Sequence, residues 1–303
     1  MNEVTKLPVA DDDRCGEAPL WDPRDGRLIW ADIGASVVYA YRPGDTTKAV
    51  VSRGLPVSGI ALNRGGGFVF AGATGLHLWK GAGERRTLLV ESDGETLPFN
   101  DVVADSAGRV YAGTLHWDDS GMQKPGRLYL VQGDGSARVV EEGIGLSNGL
   151  GFSPDDRTLY YADSAARVIY AYDLVDRSGE LSHKHVFVRV GGDEGIPDGL
   201  TVDSQGFVWC AQWYGGQVVR YDPDGKVHRR VPLPVRQVAS CNFGGRDLLD
   251  LYITTAGENW PSPLAPPGYD YAKGNFGGGV YRLRLDVPGK PEHFADLGTL
   301  PRT

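Results

Sequence analysis

The chain has few cysteines, no long apolar segment and no excess of basic residues. Its cysteines, Cys15, Cys210 and Cys241, are odd in number and widely spaced. This pattern excludes a disulfide framework and a zinc knuckle, and it favours buried thiols in a reduced, cytoplasmic protein. No apolar run is long enough to span a bilayer, and residues 1–6 lack the apolar core of a signal peptide. A formal net charge of −8 disfavours nucleic acid as a partner, so we expect neither a nucleic-acid nor a membrane partner.

Helical periodicity is also missing, because no stretch repeats apolar residues at helical spacing over three turns. The 43 glycines, in contrast, exceed the ordinary share of about 7% and indicate many tight turns. A turn rich in Gly and Asp, an alternating apolar strand, a short gap and a second strand recur at intervals of roughly 40 to 50 residues. The paired segments are 22–32 with 37–41, 65–72 with 76–79, 105–113 with 127–131, 154–163 with 168–172, 203–211 with 218–221, and 244–254 with 280–284.

This interval is the length of a propeller blade. The sequence therefore predicts an all-β, six-bladed β-propeller with a central channel, formed by residues 1–303 as one domain. Closing the ring removes exposed strand edges. We expect an N-terminal strand near residues 7–9 to pair with the last blade for this purpose.

Short polar motifs stand beside several strand-like runs. Three of them contain an oxygen donor, in three different repeats: Glu17, Asn148 and Asp198. In a closed ring these side chains meet at the axis, so we predict that they bind one divalent cation at one end of the channel. Two carboxylates and one amide favour calcium, magnesium, manganese or iron(II) over a thiolate-type zinc site. Each motif alone is more typical of a hairpin turn, and their matching position in different repeats favours a shared site.

Further polar and aromatic residues complete a candidate pocket. Asn100 and Asp101 form a polar pair at a comparable position, suited to holding substrate hydroxyls or a water molecule, or else an Asx-turn that only organises a loop. Two insertions, residues 115–124 and 256–275, predict either a pocket wall, as a lid, or loosely ordered connections. Aromatic rings near the same mouth are predicted to bind substrate by stacking or to cap the blade ends: Trp117, Trp213 and Tyr214.

Groups of residues along nearly the whole chain resemble one known family of six-bladed propellers. These groups are residues 16–21, 99–101 with 108–114, 147–149 with 152–155, 197–203, 239–245 with 251–255, and 278–281. The family is the gluconolactonase, regucalcin (senescence marker protein) and luciferin-regenerating-enzyme group. No Gly-Xaa-Ser-Xaa-Gly elbow and no His-Glu-Xaa-Xaa-His motif accompanies this resemblance, so neither a serine hydrolase nor that class of zinc enzyme is expected.

The resemblance implies hydrolysis of a sugar-type (aldono) or related small lactone, with a lactone as the small-molecule partner. It implies that Glu17, Asn148 and Asp198 bind one divalent cation, which is calcium, zinc, manganese, magnesium or iron(II). It also implies that Asn100 contacts substrate or the water on the metal, and that Asp198 is the catalytic base. We expect a monomer or a weak homodimer.

The chain departs from the animal members of this family at two places. Pro98 stands where those members have an arginine that contacts the lactone, and Leu115, His116 and Trp117 replace an acidic residue of the third-blade loop. We therefore expect a different substrate wall, with His116 as a replacement hydrogen-bond donor or as an exposed loop residue. Two other functions stay open: a hydrolase of another ester or an organophosphate, and a calcium- or small-ligand-binding propeller with little turnover.

Overall fold

The described residues of the computed structural model form twenty-nine β-strands and no helix. They comprise residues 3–9, 12–81, 84–118, 120–175, 178–274 and 276–299. Consequently no membrane-crossing helix occurs in these ranges. Alternating apolar and aromatic residues separated by Gly and Asp turns produce this all-β structure, because such side chains pack well on a pleated surface.

The strands have the following bounds: β1 (Val4–Lys6), β2 (Gly16–Asp22), β3 (Arg27–Asp32), β4 (Val37–Tyr41), β5 (Ala49–Arg53), β6 (Val57–Asn63), β7 (Phe68–Gly72), β8 (Gly75–Gly81), β9 (Glu84–Leu89), β10 (Glu91–Ser92), β11 (Glu95–Thr96), β12 (Phe99–Ala104), β13 (Val110–Thr114), β14 (Trp117–Asp118), β15 (Gly121–Met122), β16 (Gly126–Val131), β17 (Ala137–Ile144), β18 (Ser147–Phe152), β19 (Thr158–Asp163), β20 (Val168–Val175), β21 (Glu180–Arg189), β22 (Ile196–Val202), β23 (Val208–Trp213), β24 (Gln217–Tyr221), β25 (Val227–Pro232), β26 (Val238–Gly244), β27 (Asp250–Thr255), β28 (Val280–Arg284) and β29 (Phe294–Ala295).

Six antiparallel four-stranded arrays form the blades of a propeller, which confirms the predicted fold class. In chain order they are β2–β5, β6–β9, β12 with β13, β16 and β17, β18–β21, β22–β25, and β26–β28 with β1. The first strand of each blade is its inner strand, and the inner strands contact one another in cyclic order around the channel. Two short ribbons, β10–β11 and β14–β15, lie outside this pattern.

Both ends of the chain tie the ring together. Strand β1 pairs with β28, so the N-terminal strand is Val4–Lys6 rather than the predicted 7–9. Leu7 adds one further hydrogen bond, from its N–H to the Val280 carbonyl at 2.8 Å, and the ladder ends there. Near the C-terminus, β29 runs parallel to β6 and adds a fifth strand to blade 2.

The hydrophobic core is divided among the blade interfaces. Six clusters of buried side chains in the described residues lie one between each pair of adjacent blades. Strands buried on both faces have near-continuous apolar sequences, as in β7 (Phe68–Gly72), where every residue is buried. This face-to-face packing holds the inner strands in fixed positions around the channel.

All six inner strands have a one-residue register shift near their beginning. The shifts lie between Glu17 and Leu20, Val57 and Gly59, Phe99 and Val102, Ser147 and Leu150, Pro197 and Leu200, and Val238 and Ser240. A bulge leaves one residue out of the ladder and redirects its neighbours' side chains. The predicted ligands lie at or beside these bulges.

Candidate metal and lactone site

A cavity of about 390 Å³ opens at the end of the channel where the inner strands begin. Its lining includes one polar side chain from the inner strand of each of blades 1 to 5. We call this group the floor, and it consists of Glu17, Ser58, Asn100, Asn148 and Asp198. These residues hold the same position in their blades, counted back from the hairpin that follows each inner strand. The ring therefore brings together residues that lie far apart in the sequence.

Buried aspartates at the ends of neighbouring strands position the segments that lead into the floor. Asp32, which ends β3, accepts hydrogen bonds from the N–H groups of Arg14 and Cys15, each at 3.0 Å. Asp163, which ends β19, accepts from Gly145 N–H at 2.9 Å and from Leu146 N–H at 3.0 Å. These carboxylates accept hydrogen bonds from backbone N–H groups in place of backbone carbonyls. The chain therefore enters β2 and β18 along a fixed path.

Glycines behind two of the floor residues let the inner strands approach closely. A Cβ atom at Gly149 would clash with the backbone of Leu200, and one at Gly199 would clash with Ser240. The Asn-Gly and Asp-Gly pairs are therefore sites of close strand contact around the channel. Ala18 follows Glu17 with φ of 48°, a left-handed conformation that costs a non-glycine residue about 1 to 3 kcal/mol.

A hydrogen-bond network fixes the amide of Asn148. Its Nδ2 donates to Ser164 Oγ at 2.9 Å, and Ser164 Oγ in turn donates to the Pro197 carbonyl at 2.5 Å. Its Oδ1 accepts from Asn100 Nδ2 at 3.0 Å. With the nitrogen engaged by buried Ser164, the oxygen of Asn148 is held as an acceptor next to Asn100. The same serine links blade 4 to the residue that precedes Asp198.

The two carboxylates of the floor have no cationic partner in the described part of the chain. None of the ion pairs among the described residues involves Glu17 or Asp198. Burial raises the pKa of Glu17 to about 8, and Asp101 adds repulsion, while the Ala18 N–H at 3.0 Å opposes the shift. Burial also raises the pKa of Asp198, with further contributions from Glu17 and Asp101. Buried carboxylates of this kind are costly unless a cation compensates them.

The donor set fits a divalent cation. Two carboxylates and an oriented amide oxygen are hard oxygen ligands, and their number leaves room for water or substrate. No cluster of three or more His, Cys, Asp or Glu residues spaced for a metal occurs in the described part of the chain. The candidate set differs from such a cluster because one of its three members is an asparagine.

Aromatic and apolar residues surround the opening of the cavity. We call this group the rim, and it consists of Pro98, Leu115, Trp117, Trp213, Tyr214 and Trp260. Trp117 Nε1 donates to the Gly145 carbonyl at 2.7 Å, and Tyr214 donates its hydroxyl hydrogen to the Trp260 carbonyl at 2.8 Å. These bonds anchor both insertions beside the cavity. Asp119 and Asn275, one in each insertion, lie outside the described residues.

Comparison with known proteins identifies the family. The model of the SMP-30/Gluconolactonase/LRE-like region matches residues 15–257. The chain belongs to the SMP-30/gluconolactonase/LRE-like family. It is 37% identical over 287 residues to the pentonolactonase of Haloferax volcanii, covering 94% of this chain and 95% of that protein. It is 35% identical to the 6-deoxy-6-sulfogluconolactonase of Pseudomonas putida over 297 residues, 96% of this chain and 98% of that one.

Solved structures of the SMP-30/gluconolactonase/LRE-like family have the same fold. A luciferin-regenerating enzyme superposes with a TM-score of 0.86 at 26% identity, covering 98% of this chain and all of that one. A structure described as a calcium-binding protein, regucalcin, from Agrobacterium tumefaciens superposes with a TM-score of 0.82 at 26% identity, covering 96% of both chains. The predicted family resemblance is thereby confirmed.

Not all the predicted site residues of this family member line the cavity. Asp101 lies deeper, in the channel beside Ser240, Asn242 and Glu292, and burial raises its pKa to about 7. His116 lines a separate cavity with Lys124 and Arg127, and burial together with Lys124 lowers its pKa. The other predicted ligands and substrate contacts belong to the floor or the rim.

Two residues that line the cavity, and one that lies behind it, escaped the sequence analysis of this family member. Ser58 occupies the floor position of blade 2, and its alignment with the other repeats was the available signal. Trp260 lies within an insertion recognised only as a whole. Ser164, behind Asn148, has no sequence signal because a serine after a strand is ordinary.

Proposed function

We propose that this protein hydrolyses a sugar lactone with one divalent cation held by Glu17, Asn148 and Asp198. The observation that carries this proposal is the convergence of three oxygen donors on one cavity floor. Two of them are the carboxylates of half-buried Glu17 and buried Asp198, and neither forms an ion pair with any described residue. Two relatives that span almost the whole chain are named as sugar lactonases, which supports the same reaction class. We further propose that residues 1–303 act as a single domain.

The reaction needs a polarised carbonyl and an activated water molecule. A bound divalent cation supplies Lewis-acid polarisation of the lactone carbonyl and stabilises the negative charge that develops on its oxygen. Asp198 takes a proton from the attacking water, whose oxygen bonds to the carbonyl carbon. The bond between the carbonyl carbon and the ring oxygen then breaks, and the ring oxygen takes the proton from Asp198 and leaves as a hydroxyl group. The product is a hydroxy acid.

The neighbouring floor residues orient the lactone. Asn100 Nδ2 already donates to Asn148 Oδ1 and to the Ser147 carbonyl at 2.8 Å, so its amide is held in one orientation. Ser58 Oγ lies within hydrogen-bond distance of the Phe99 carbonyl, at 3.1 Å. Both side chains present polar atoms beside the carboxylates, where ring hydroxyls of a substrate bind. Fixed partners of this kind reduce the entropy lost on reaching the reactive geometry.

A chelated and dialysed protein tests the proposal directly. We expect acid release from an aldonolactone panel only after addition of calcium, zinc, manganese, magnesium or iron(II). The cation alone should also raise the melting temperature, because a ligand that binds only the folded state stabilises it. Cation binding without acid release from any lactone, ester or organophosphate would support a binding protein instead. Full activity in the presence of chelator would overturn the role of the metal.

Glu17→Gln separates metal binding from chemistry. Removing one ligand charge should weaken cation binding, so the rate should recover partly as the cation concentration is raised. Glu180→Gln, an exposed position on the outer strand of blade 4, is the matched control and should titrate like the parent. No recovery at any cation concentration would show that Glu17 has a role beyond binding.

A further inference from the structure

The cavity is polar at its floor and apolar at its rim. The five floor side chains supply its carboxylates and amides, whereas the rim is proline, leucine and aromatic rings. Among the described residues that line the cavity, none is Lys, Arg or His. A ligand that reaches from the floor to the rim therefore extends from a polar environment into an apolar one. None of the described side chains there carries a positive charge.

Two polar side chains of the rim are already engaged within the protein. Trp117 and Tyr214 donate to the backbone carbonyls of Gly145 and Trp260. The Tyr214 hydroxyl also interacts with Trp213 and with Ser262, another lining residue. Hydroxyl groups of a ligand gain little beside Trp117 and Tyr214, because these donors already have partners. Contact with C–H and methyl surfaces is favoured instead.

The geometry of the reaction fixes which end of a lactone meets the rim. The carbonyl at C1 has to lie at the floor, beside Glu17 and Asp198, for the proposed hydrolysis to occur. In a hexonolactone the exocyclic C6 lies outside the ring that contains C1, and with C1 at the floor we place C6 at the rim. The substituent on C6 is therefore the group that the rim selects.

We propose that this protein selects uncharged lactones whose exocyclic end is apolar, such as 6-deoxyaldonolactones, and rejects lactones with an anionic group at that end. This inference rests on the proposed lactonase function. A sulfonate or phosphate at C6 would lose its water against the aromatic rings without gaining a cationic partner. The Pseudomonas putida relative, by contrast, is named as a lactonase of a sulfonated lactone.

A set of gluconolactones that differ only at C6 tests the inference. With the metal-loaded protein, we expect kcat/KM for the 6-deoxy lactone to equal or exceed that for gluconolactone. The 6-sulfo and 6-phospho lactones should be slower by about a hundredfold, as for a charge buried without a partner. Anionic lactones hydrolysed within about threefold of the neutral ones would overturn this inference while leaving lactonase activity intact. No hydrolysis of any lactone would overturn the proposed function and this inference with it.

A cation introduced into the rim sharpens the test. Leu115→Arg should raise the ratio of kcat/KM for the 6-sulfo lactone over the 6-deoxy lactone by about tenfold, because it supplies the missing partner. Val227→Arg, on an exposed outer strand of blade 5, is the control and should leave the ratio unchanged. Trp260→Arg is a second rim variant at an exposed position, in case Leu115→Arg does not fold. An unchanged ratio in the folded rim variant would overturn the charge argument.

Discussion

The floor of the cavity comes from five inner strands that repeat one geometry, whereas much of its rim comes from insertions that occur in single blades. Each floor residue sits at or beside a bulge and at the same place in its blade. The rim depends on bonds made once, such as Trp117 to Gly145 and Tyr214 to Trp260. We therefore expect the proposed reaction to depend on the repeated fold and the selectivity to depend on the rim.

Of the proposed variants, Asp198→Asn should reduce turnover the most. The variant loses both a ligand charge and the proposed base, so we expect kcat to fall on the order of a thousandfold. The metal-free variant should melt no lower than the parent, because it loses repulsion between Asp198 and the neighbouring carboxylates Glu17 and Asp101. Steady-state kinetics and thermal denaturation measure the two effects. A folded variant that keeps the parent turnover would remove Asp198 from the mechanism.

Ser164→Ala tests whether the floor needs its supporting hydrogen bonds. Ser164 acts as a positioning residue, because it holds Asn148 Nδ2 and leaves the amide oxygen for the cation. We expect the dissociation constant of the cation to rise about tenfold, the effect of roughly one lost hydrogen bond. Calorimetric titration with the cation alone gives this value independently of turnover.

Ser153→Ala is the matched control for Ser164→Ala. Ser153 is also buried, but its hydroxyl accepts hydrogen bonds in the β18–β19 hairpin, away from the cavity. Ser153→Ala should lower the melting temperature without changing the affinity for the cation. Equal loss of affinity in both variants would show that Ser164 contributes only to the fold.

Replacement of the rim aromatics should change selectivity more than rate. Alanine at Trp117, Trp213 and Tyr214 is expected to shift the ratio of kcat/KM between two lactones by about threefold to tenfold, since stacking contacts contribute about 0.5 to 1.5 kcal/mol each. Trp213 and Tyr214 also pack in a buried cluster, so the folded fraction has to be measured for each variant. If the ranking of lactones stayed the same in folded variants, the rim would not select the substrate.

His116→Ala should have the smallest effect. Its side chain lines a separate cavity beside Lys124 and Arg127 rather than the rim. We expect kcat/KM to change less than about twofold on any lactone, within the range of an exposed loop substitution. A tenfold loss would show that His116 reaches the substrate and that the insertion rearranges on binding.

The sequence predicted the blades and the convergence of the candidate ligands on one cavity because both depend on repeated patterns. Gly and Asp turns at regular intervals mark the hairpins, and Asn148 and Asp198 hold equivalent places relative to them. The position of a bulge is not visible in the sequence, so Asn100 and Asp101 appeared equivalent although one faces the cavity and the other the channel.

Predictions that depended on unrepeated contacts were less accurate. The path of the 115–124 insertion placed His116 and Trp117 in different cavities, which its composition did not reveal. The N-terminal strand was predicted a few residues late, because apolar Leu7 suggested a strand where only one ladder bond forms. Local sequence patterns indicated the strands and turns. Long-range packing decided the bounds of the strands and the cavity that each side chain lines.

The pairing of β1 with β28 also determines when the ring can close during synthesis of the chain. Strand β1, which is synthesised before blade 1, finds its partner strand only after blade 6 has been synthesised, so the ring stays open during most of translation. Pairs so distant in sequence form slowly, because a long loop must close before any contact stabilises it. The cavity that brings Glu17 and Asp198 together is consequently completed late in folding. The nascent chain therefore passes through synthesis with its candidate metal site still unassembled.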